Sequence, residues 1–325
     1  MNAVKKLRIL VLLPLLLLSL VTIETGAAKS KKKKEVLPKG TPILWQRPAD
    51  ISSRDLFLGP GGTAMRPDLR RITFIKEEKG GYSKKYRVRD GSGREWVAKI
   101  GKEAQSETSA VRLLWGLGYV TEVNYLVPRI TISGKGTFTN VRLEARPEAW
   151  KRLGEWKWNS NPFVGTTEFQ GLKIMMALIN NWDLKDSNNV IIQLRGNHGN
   201  ELYYAISDLG ATFGHASTTP LFWRITRSRN DPKSYAESDF FEKVKGDRVV
   251  LHFGGKNRGL LNDVDVEDAQ WLGSLLAQLS DNQLRDAFRA ANYRDDQINL
   301  LARTVRARGN ELLNLRPNIQ IGRSR

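Results

Sequence analysis

From Arg71 onward, apolar and polar positions alternate with the period of a strand: Ile72-Thr73-Phe74-Ile75, then Tyr86-Arg87-Val88, then Trp96-Val97-Ala98-Lys99-Ile100. Gly80-Gly81-Tyr82-Ser83 and the turn Asp90-Gly91-Ser92-Gly93 separate these runs, so the pattern predicts two adjoining hairpins in an antiparallel sheet. Over residues 104–118 the period lengthens to that of a helix, with Ala110, Val111, Leu113, Leu114 and Leu117 apolar and Gly116 and Gly118 at its end. Val123 to Ile132 and Phe138 to Leu143 predict two further strands, completing a small five-strand lobe.

A second helical period, Phe169, Leu172, Met175, Met176 and Ile179, runs straight into the polar decapeptide Asn180 to Asn189. Neither a helix nor a strand would place such a stretch in its interior, so the helix must stop there. Asp183, Lys185 and Asn188 can then converge on the mouth of one loop. Phosphoryl transfer uses such a set: a carboxylate to accept a hydroxyl proton, a cation for the moving charge, and oxygen ligands for Mg²⁺. Val190 to Leu194, the turn Gly196 to Asn200, and Leu202 to Ile206 read as a hairpin that returns Asp208 to the side of Asn188. Residues 215–262 mix short strands, such as Arg248 to Phe253, with polar turns. Val266 to Leu279, Asp281 to Ala291 and Asp295 to Leu313 predict amphipathic helices, with capping from Ser280-Asp281-Asn282.

At these residues the chain resembles the protein kinase-like superfamily. Asp183-x-Lys185-x-x-Asn188 has the spacing of that family's catalytic loop, and Asp208-Leu209-Gly210 stands where the family carries its metal-binding Asp-Phe-Gly triplet. The resemblance covers about Ile72 to Gly214 and implies an α+β, bilobal fold, with a small antiparallel β lobe and a mainly helical lobe. It implies that Asp183 orients and deprotonates the acceptor, Lys185 contacts the transferred phosphoryl group, and Asn188 and Asp208 hold Mg²⁺. Val97-Ala98-Lys99 resembles the strand whose lysine pairs with the nucleotide phosphates. Gly80-Gly81 falls where the phosphate-covering loop would lie, although the usual three glycines are missing. Glu107 is implied as the helix partner of Lys99, with Glu103 a competing choice, and Glu144 to Arg146 as the crossing between lobes, presenting backbone groups to adenine. Asn181-Trp182 replaces the His-Arg of typical eukaryotic protein kinases, which points to the atypical branches: HipA-like, lipid-kinase-like or secreted-kinase-like.

Ahead of this region, Lys5, Lys6 and Arg8 precede an apolar stretch from Ile9 to Ile23, and Gly26-Ala27-Ala28 suits a signal peptidase. Fifteen apolar residues fall short of the ~20 that span a bilayer. A bacterial signal peptide over 1–28 is therefore expected, and with it an exported, periplasmic or extracellular protein of the cell envelope. The five lysines Lys29, Lys31, Lys32, Lys33 and Lys34 argue for the alternative, an N-terminal membrane anchor facing the cytoplasm. Residues 29–64 read as a basic linker ending in Gly59-Pro60-Gly61-Gly62, 65–146 as the N-terminal β-rich lobe, and 147–325 as the C-terminal, mostly helical lobe.

The net charge is +18, of which residues 1–40 supply +7 through nine Lys/Arg against Glu24 and Glu35. Such an excess favours phosphate-rich ligands, acidic partners or an anionic membrane surface touched by the lysine run. No aromatic residues interleave that run, so nucleic acid is not an expected partner. With no cysteine and only three histidines, at 198, 215 and 252, a zinc site is not expected either. Trp156 and Trp158 flank a lysine and are expected to pack at the lobe junction, a carbohydrate or cation platform being the alternative. Ser228, Ser234 and Tyr235 lie where an activation or substrate segment would and are candidates for modification. The expected function is ATP- and Mg²⁺-dependent phosphoryl transfer to a hydroxyl of an acceptor that the sequence does not name. Transfer of a nucleotidyl unit, or a catalytically silent envelope scaffold of the same fold, are the alternatives.

Overall fold

The computed structural model describes residues 38–194, 200–218 and 225–318. The segment read as a signal peptide or anchor, the Lys29 to Lys34 run, and the Gly196 to Gly199 turn with His198 lie outside the described residues.

The chain enters with β1 (Thr41–Ile43), followed by β2 (Thr73–Glu78), β3 (Lys84–Arg89), β4 (Glu95–Ile100), α1 (Glu103–Gly116), β5 (Asn124–Ile132) and β6 (Gly136–Ala145). Strands β2 to β6 form one antiparallel sheet in the order β2-β3-β4-β6-β5. Burial follows each strand's place in the sheet. In β3 only Tyr86 and Val88 are buried, with charged residues between them, whereas in β4 Trp96 to Lys99 are buried in succession, as a central strand with both faces covered requires. Asp90 fixes the β3–β4 turn by accepting from the backbone N–H of Ser92 and Arg94 and from the Trp96 indole.

The chain then crosses to the second lobe through β7 (Trp150–Gly154), α2 (Thr167–Leu178), β8 (Asn189–Leu194), β9 (Glu201–Ile206), β10 (Ala216–Thr218) and β11 (Ile225–Arg227). It ends with α3 (Pro232–Glu237), β12 (Phe241–Lys245), β13 (Arg248–Leu251), α4 (Val266–Ala277), α5 (Asp281–Arg289) and α6 (Asp295–Asn314). Thr166 caps α2 by accepting from the Phe169 N–H, and every residue from Phe169 to Leu178 is buried, which makes α2 the axis of this lobe's core. Asn180 ends it in the left-handed region (φ 50°), its amide donating to Gly214 O at 2.9 Å and Ser238 Oγ at 2.8 Å. Asp265 caps α4, and Ser280 with Gln283 forms a capping box on α5.

This is an α+β fold with a small antiparallel lobe and a larger, mainly helical one. The expected linker needs correction. β1 pairs in parallel with β9, extending a second sheet to β1-β9-β8-β7, and Leu44, Ile51 and Leu56 are buried in the main core. The lysines, prolines and glycines that flank residues 41–58 dominate the composition of that stretch and mask its widely spaced apolar anchors. Trp156 and Trp158 are both buried, edge to face at 5.0 Å, so they pack and form no open platform. Tyr235 is fully buried with its hydroxyl donating to Leu178 O at 2.8 Å, so the folded chain does not offer it for modification.

Candidate active site

A cleft of about 620 Å³ opens between the two lobes, lined from the first by Gly81, Lys99 and Glu107 and from the second by Asp183, Lys185, Asn188 and Asp208. Seven of the eight residues singled out from the sequence therefore face one cavity. The eighth, Gly80, does not line it, although Gly80 and Gly81 both take positive φ (101° and 79°) in an exposed turn that only glycine adopts easily.

Lys99 is the junction of the cleft. Its ammonium lies 2.8 Å from Glu107 Oε2, 3.0 Å from Glu103 Oε2 and 3.1 Å from Asp208 Oδ1, with only 1% of the side chain exposed. Both helix carboxylates thus reach it, and the choice between Glu107 and Glu103 dissolves: one turn of α1 presents both. Burial alone would lower the Lys99 pKa, but Glu107 and Asp208 outweigh it and hold the ammonium well above its ordinary range. Burial pushes Glu107 up to about 7, against the pull of Arg142 and Lys99.

Glu107 is also the first rung of a buried ladder of charge. Arg142 Nη1 lies 2.6 Å from Glu107 and 2.5 Å from Glu144, Arg146 pairs with Glu144, and Glu122 takes Arg146 at 3.4 Å and is paired with Arg152. Desolvated charges survive only when matched in this way. The crossing expected at Glu144 to Arg146 begins later, because Glu144 and Ala145 are still paired in β6. Nor does it present backbone donors to the cleft. The Ala145 N–H donates to Val123 O and the Arg146 N–H to Glu95 O, each at 2.9 Å.

On the opposite wall, Asp183 is ion-paired with Lys185 Nζ at 2.8 Å and with Lys256 Nζ at 2.6 Å. Burial would raise its pKa, but these two cations outweigh it and hold the carboxyl below the usual range. Asn188 donates its amide to Asp183 O at 2.7 Å, which leaves its carbonyl oxygen for a cation, and its own backbone carbonyl accepts from the N–H of Ser207 and Asp208. That pair of bonds is how the β8–β9 hairpin delivers Asp208 beside Asn188. Asp208 Oδ1 takes Lys99 and the Gly210 N–H, and Oδ2 has no hydrogen bond among the described residues.

Asn188 Oδ1 and Asp208 Oδ2 are therefore hard oxygen donors with spare capacity, which suits Mg²⁺. Among the described residues no cluster of three His, Cys, Asp or Glu could hold a metal unaided. Mg²⁺ ordinarily takes one or two side-chain oxygens and completes its shell with phosphate oxygens and water, so the two donors fit that habit.

Two features escaped the sequence. Lys256 comes from beyond the recognisable region, with no motif around it. Its N–H donates to Trp182 O at 2.8 Å, and Asn257, at φ 54°, donates its amide to Leu184 O at 2.6 Å, so the pair straps residues 182–184. Trp182, in place of the expected Arg, donates its indole N–H to Ser228 O and carries Arg227 and Arg229 over its ring at 5.3 and 4.7 Å. The loop is thus tied to the 227–229 segment by the indole hydrogen bond and the two guanidinium groups over its ring.

No family model matches the chain, and no curated protein matches it. Among solved structures it is similar to the Helicobacter pylori proinflammatory kinase CtkA, with a TM-score of 0.36 and 12% identity over 75% of this chain and 98% of that one. It is likewise similar to the Rio2 kinase of Chaetomium thermophilum, solved as an ADP/Mg²⁺-phosphoaspartate complex, with a TM-score of 0.32 and 12% identity over 76% of this chain and 74% of that one.

Proposed function

We propose that the chain is an ATP- and Mg²⁺-dependent phosphotransferase that moves a phosphoryl group onto a hydroxyl. The observation that carries this reading is the reach of Lys99 across the cleft, from Glu107 on α1 to Asp208 beside Asn188, directly facing the Asp183 loop. Lys99 would bind the phosphate chain, and Asn188 and Asp208 would hold Mg²⁺, which when bound neutralises charge on the phosphates. Asp183 would accept the hydroxyl proton as the acceptor oxygen attacks the terminal phosphorus and the bond to the bridging oxygen breaks, releasing the diphosphate. Lys185 would contact the transferring group. If residues 1–28 export or anchor the chain as proposed, the site would work at the cell envelope, and the acceptor would be found there.

The alternative, a silent scaffold, finds support only in the short glycine turn at Gly80-Gly81, since the ion-paired cleft is otherwise fully assembled. Asp208→Ala should abolish Mg²⁺-dependent nucleotide binding measured by thermal shift, and Asp183→Ala should retain binding and lose turnover. Binding and turnover of ATP by both variants at the parent's level would refute the proposal.

A further inference from the structure

The two ends of the cleft are built from different chemistry. Lys99 and Asp208 mark the phosphate end. Outward along β4, two residues and about 6.6 Å away, lies Val97, and the antiparallel register sets Arg142 opposite Lys99 and Glu144 opposite Val97. A base attached to a phosphate chain held at Lys99 would lie along this outer stretch. Protein sites read a base in two ways, by stacking it against apolar or aromatic faces and by hydrogen-bonding its polar edge.

Neither way singles out one base here. Val97 is the sole aliphatic side chain lining the cleft among the described residues. Of the two aromatic rings lining it among the described residues, Trp182 carries Arg227 and Arg229 at 5.3 and 4.7 Å, and Tyr82, with Arg229 at 4.6 Å and 77% exposed, offers only a stack that any base can make. Beside Val97 on the neighbouring strand is Glu144, locked between Arg142 and Arg146 and buried to 1% exposure. The backbone donors are spent as well: the N–H groups of Ala145 and Arg146 are bonded within the lobe, and Pro147 has no N–H. A base-specific hydrogen bond to Glu144 would mean breaking a buried ion pair.

The phosphate end is the reverse, with Lys99 set between Glu107 and Asp208 and Lys185 partly exposed beside Asp183, two cations that line the cleft where an anion would lie. We infer that the donor site grips the triphosphate and is indifferent to the base, so that ATP, GTP, CTP and UTP serve it alike. This inference rests on the reading of the cleft as a nucleotide-dependent phosphotransferase site.

The test uses the full chain with Mg²⁺ in a thermal-shift titration against the four nucleoside triphosphates, tripolyphosphate and adenosine. The four nucleotides should bind within about threefold of one another, tripolyphosphate should bind in the same range, and adenosine should give no shift. ATP binding tenfold or more tighter than the other three, or protection by adenosine alone, would overturn base indifference and leave the phosphotransferase reading standing. Absence of binding by every nucleotide and by tripolyphosphate would overturn both.

Discussion

Lys256 Nζ sits 2.6 Å from Asp183 Oδ1, while Lys185 Nζ takes the other carboxylate oxygen at 2.8 Å. One carboxylate is therefore gripped from two sides, by a lysine of its own loop and by a lysine 73 residues further along the chain.

If Lys256 positions Asp183 for proton transfer, Lys256→Met should lower kcat by roughly 10- to 100-fold and leave Mg²⁺–nucleotide affinity close to the parent's. Lys256→Arg should restore part of the rate. A fall in affinity with kcat unchanged would instead make Lys256 a donor-binding residue.

Lys99→Met leaves Glu107 and Asp208 without their shared cation. Removing one partner of a buried ionic cluster costs about 3–5 kcal/mol, so the urea midpoint should fall sharply, and nucleotide binding should be lost with it. A variant with the parent's midpoint would show that the cluster contributes nothing to stability.

Glu107 gives a pH signature. Burial raises its folded pKa to about 7 from an ordinary 4.5. The folded state therefore holds the proton more tightly than the unfolded state, and the resulting stability is fully present below about pH 4.5 and lost as pH rises through about 7. Glu103 and Asp208, held below their ordinary values, act in the opposite sense at lower pH. Glu107→Gln should flatten the decline in stability between pH 4.5 and 7, read from urea midpoints across that window, besides lowering stability overall. An unchanged slope would assign the pH dependence to other groups.

Gly210→Ala tests the Asp208-Leu209-Gly210 triplet through its packing. A Cβ at Gly210 would lie 2.7 Å from Glu103 Cβ and 3.0 Å from its Cγ, within a side chain held by Ser83 and Lys99. Overpacking of this kind costs about 1–3 kcal/mol and should displace Glu103 from Lys99. Chemical denaturation measures the first effect and nucleotide titration the second.

The order of strands, the helix α1 and the Asp183 loop were legible because each is local: period, turn residues and short spacing specify them within a few tens of residues. Asp208 was legible because a single hairpin separates it from Asn188. Lys256 was not, since no local pattern marks a lysine that becomes important only when residues 254–257 fold back onto Trp182. The ladder Glu107-Arg142-Glu144-Arg146 was also hidden: Glu144 to Arg146 read as the crossing between lobes, and no local pattern shows that these charges meet Glu107 of α1. The linker failed for the converse reason, as β1 acquires its partner only from β9, about 160 residues on.

The charge ladder also bears on control. Many enzymes are held idle by swinging a helix so that its carboxylate leaves the catalytic lysine. Here an outward swing of α1 would strip Lys99 of Glu103 and Glu107 together and leave Arg142 facing Glu144 alone in a dry interior. Such a resting posture would leave each of these charges with fewer partners than the assembled cleft gives it. Restraint on turnover would then have to act through the mouth of the cleft, by admitting or refusing substrate, with the machinery inside standing permanently assembled.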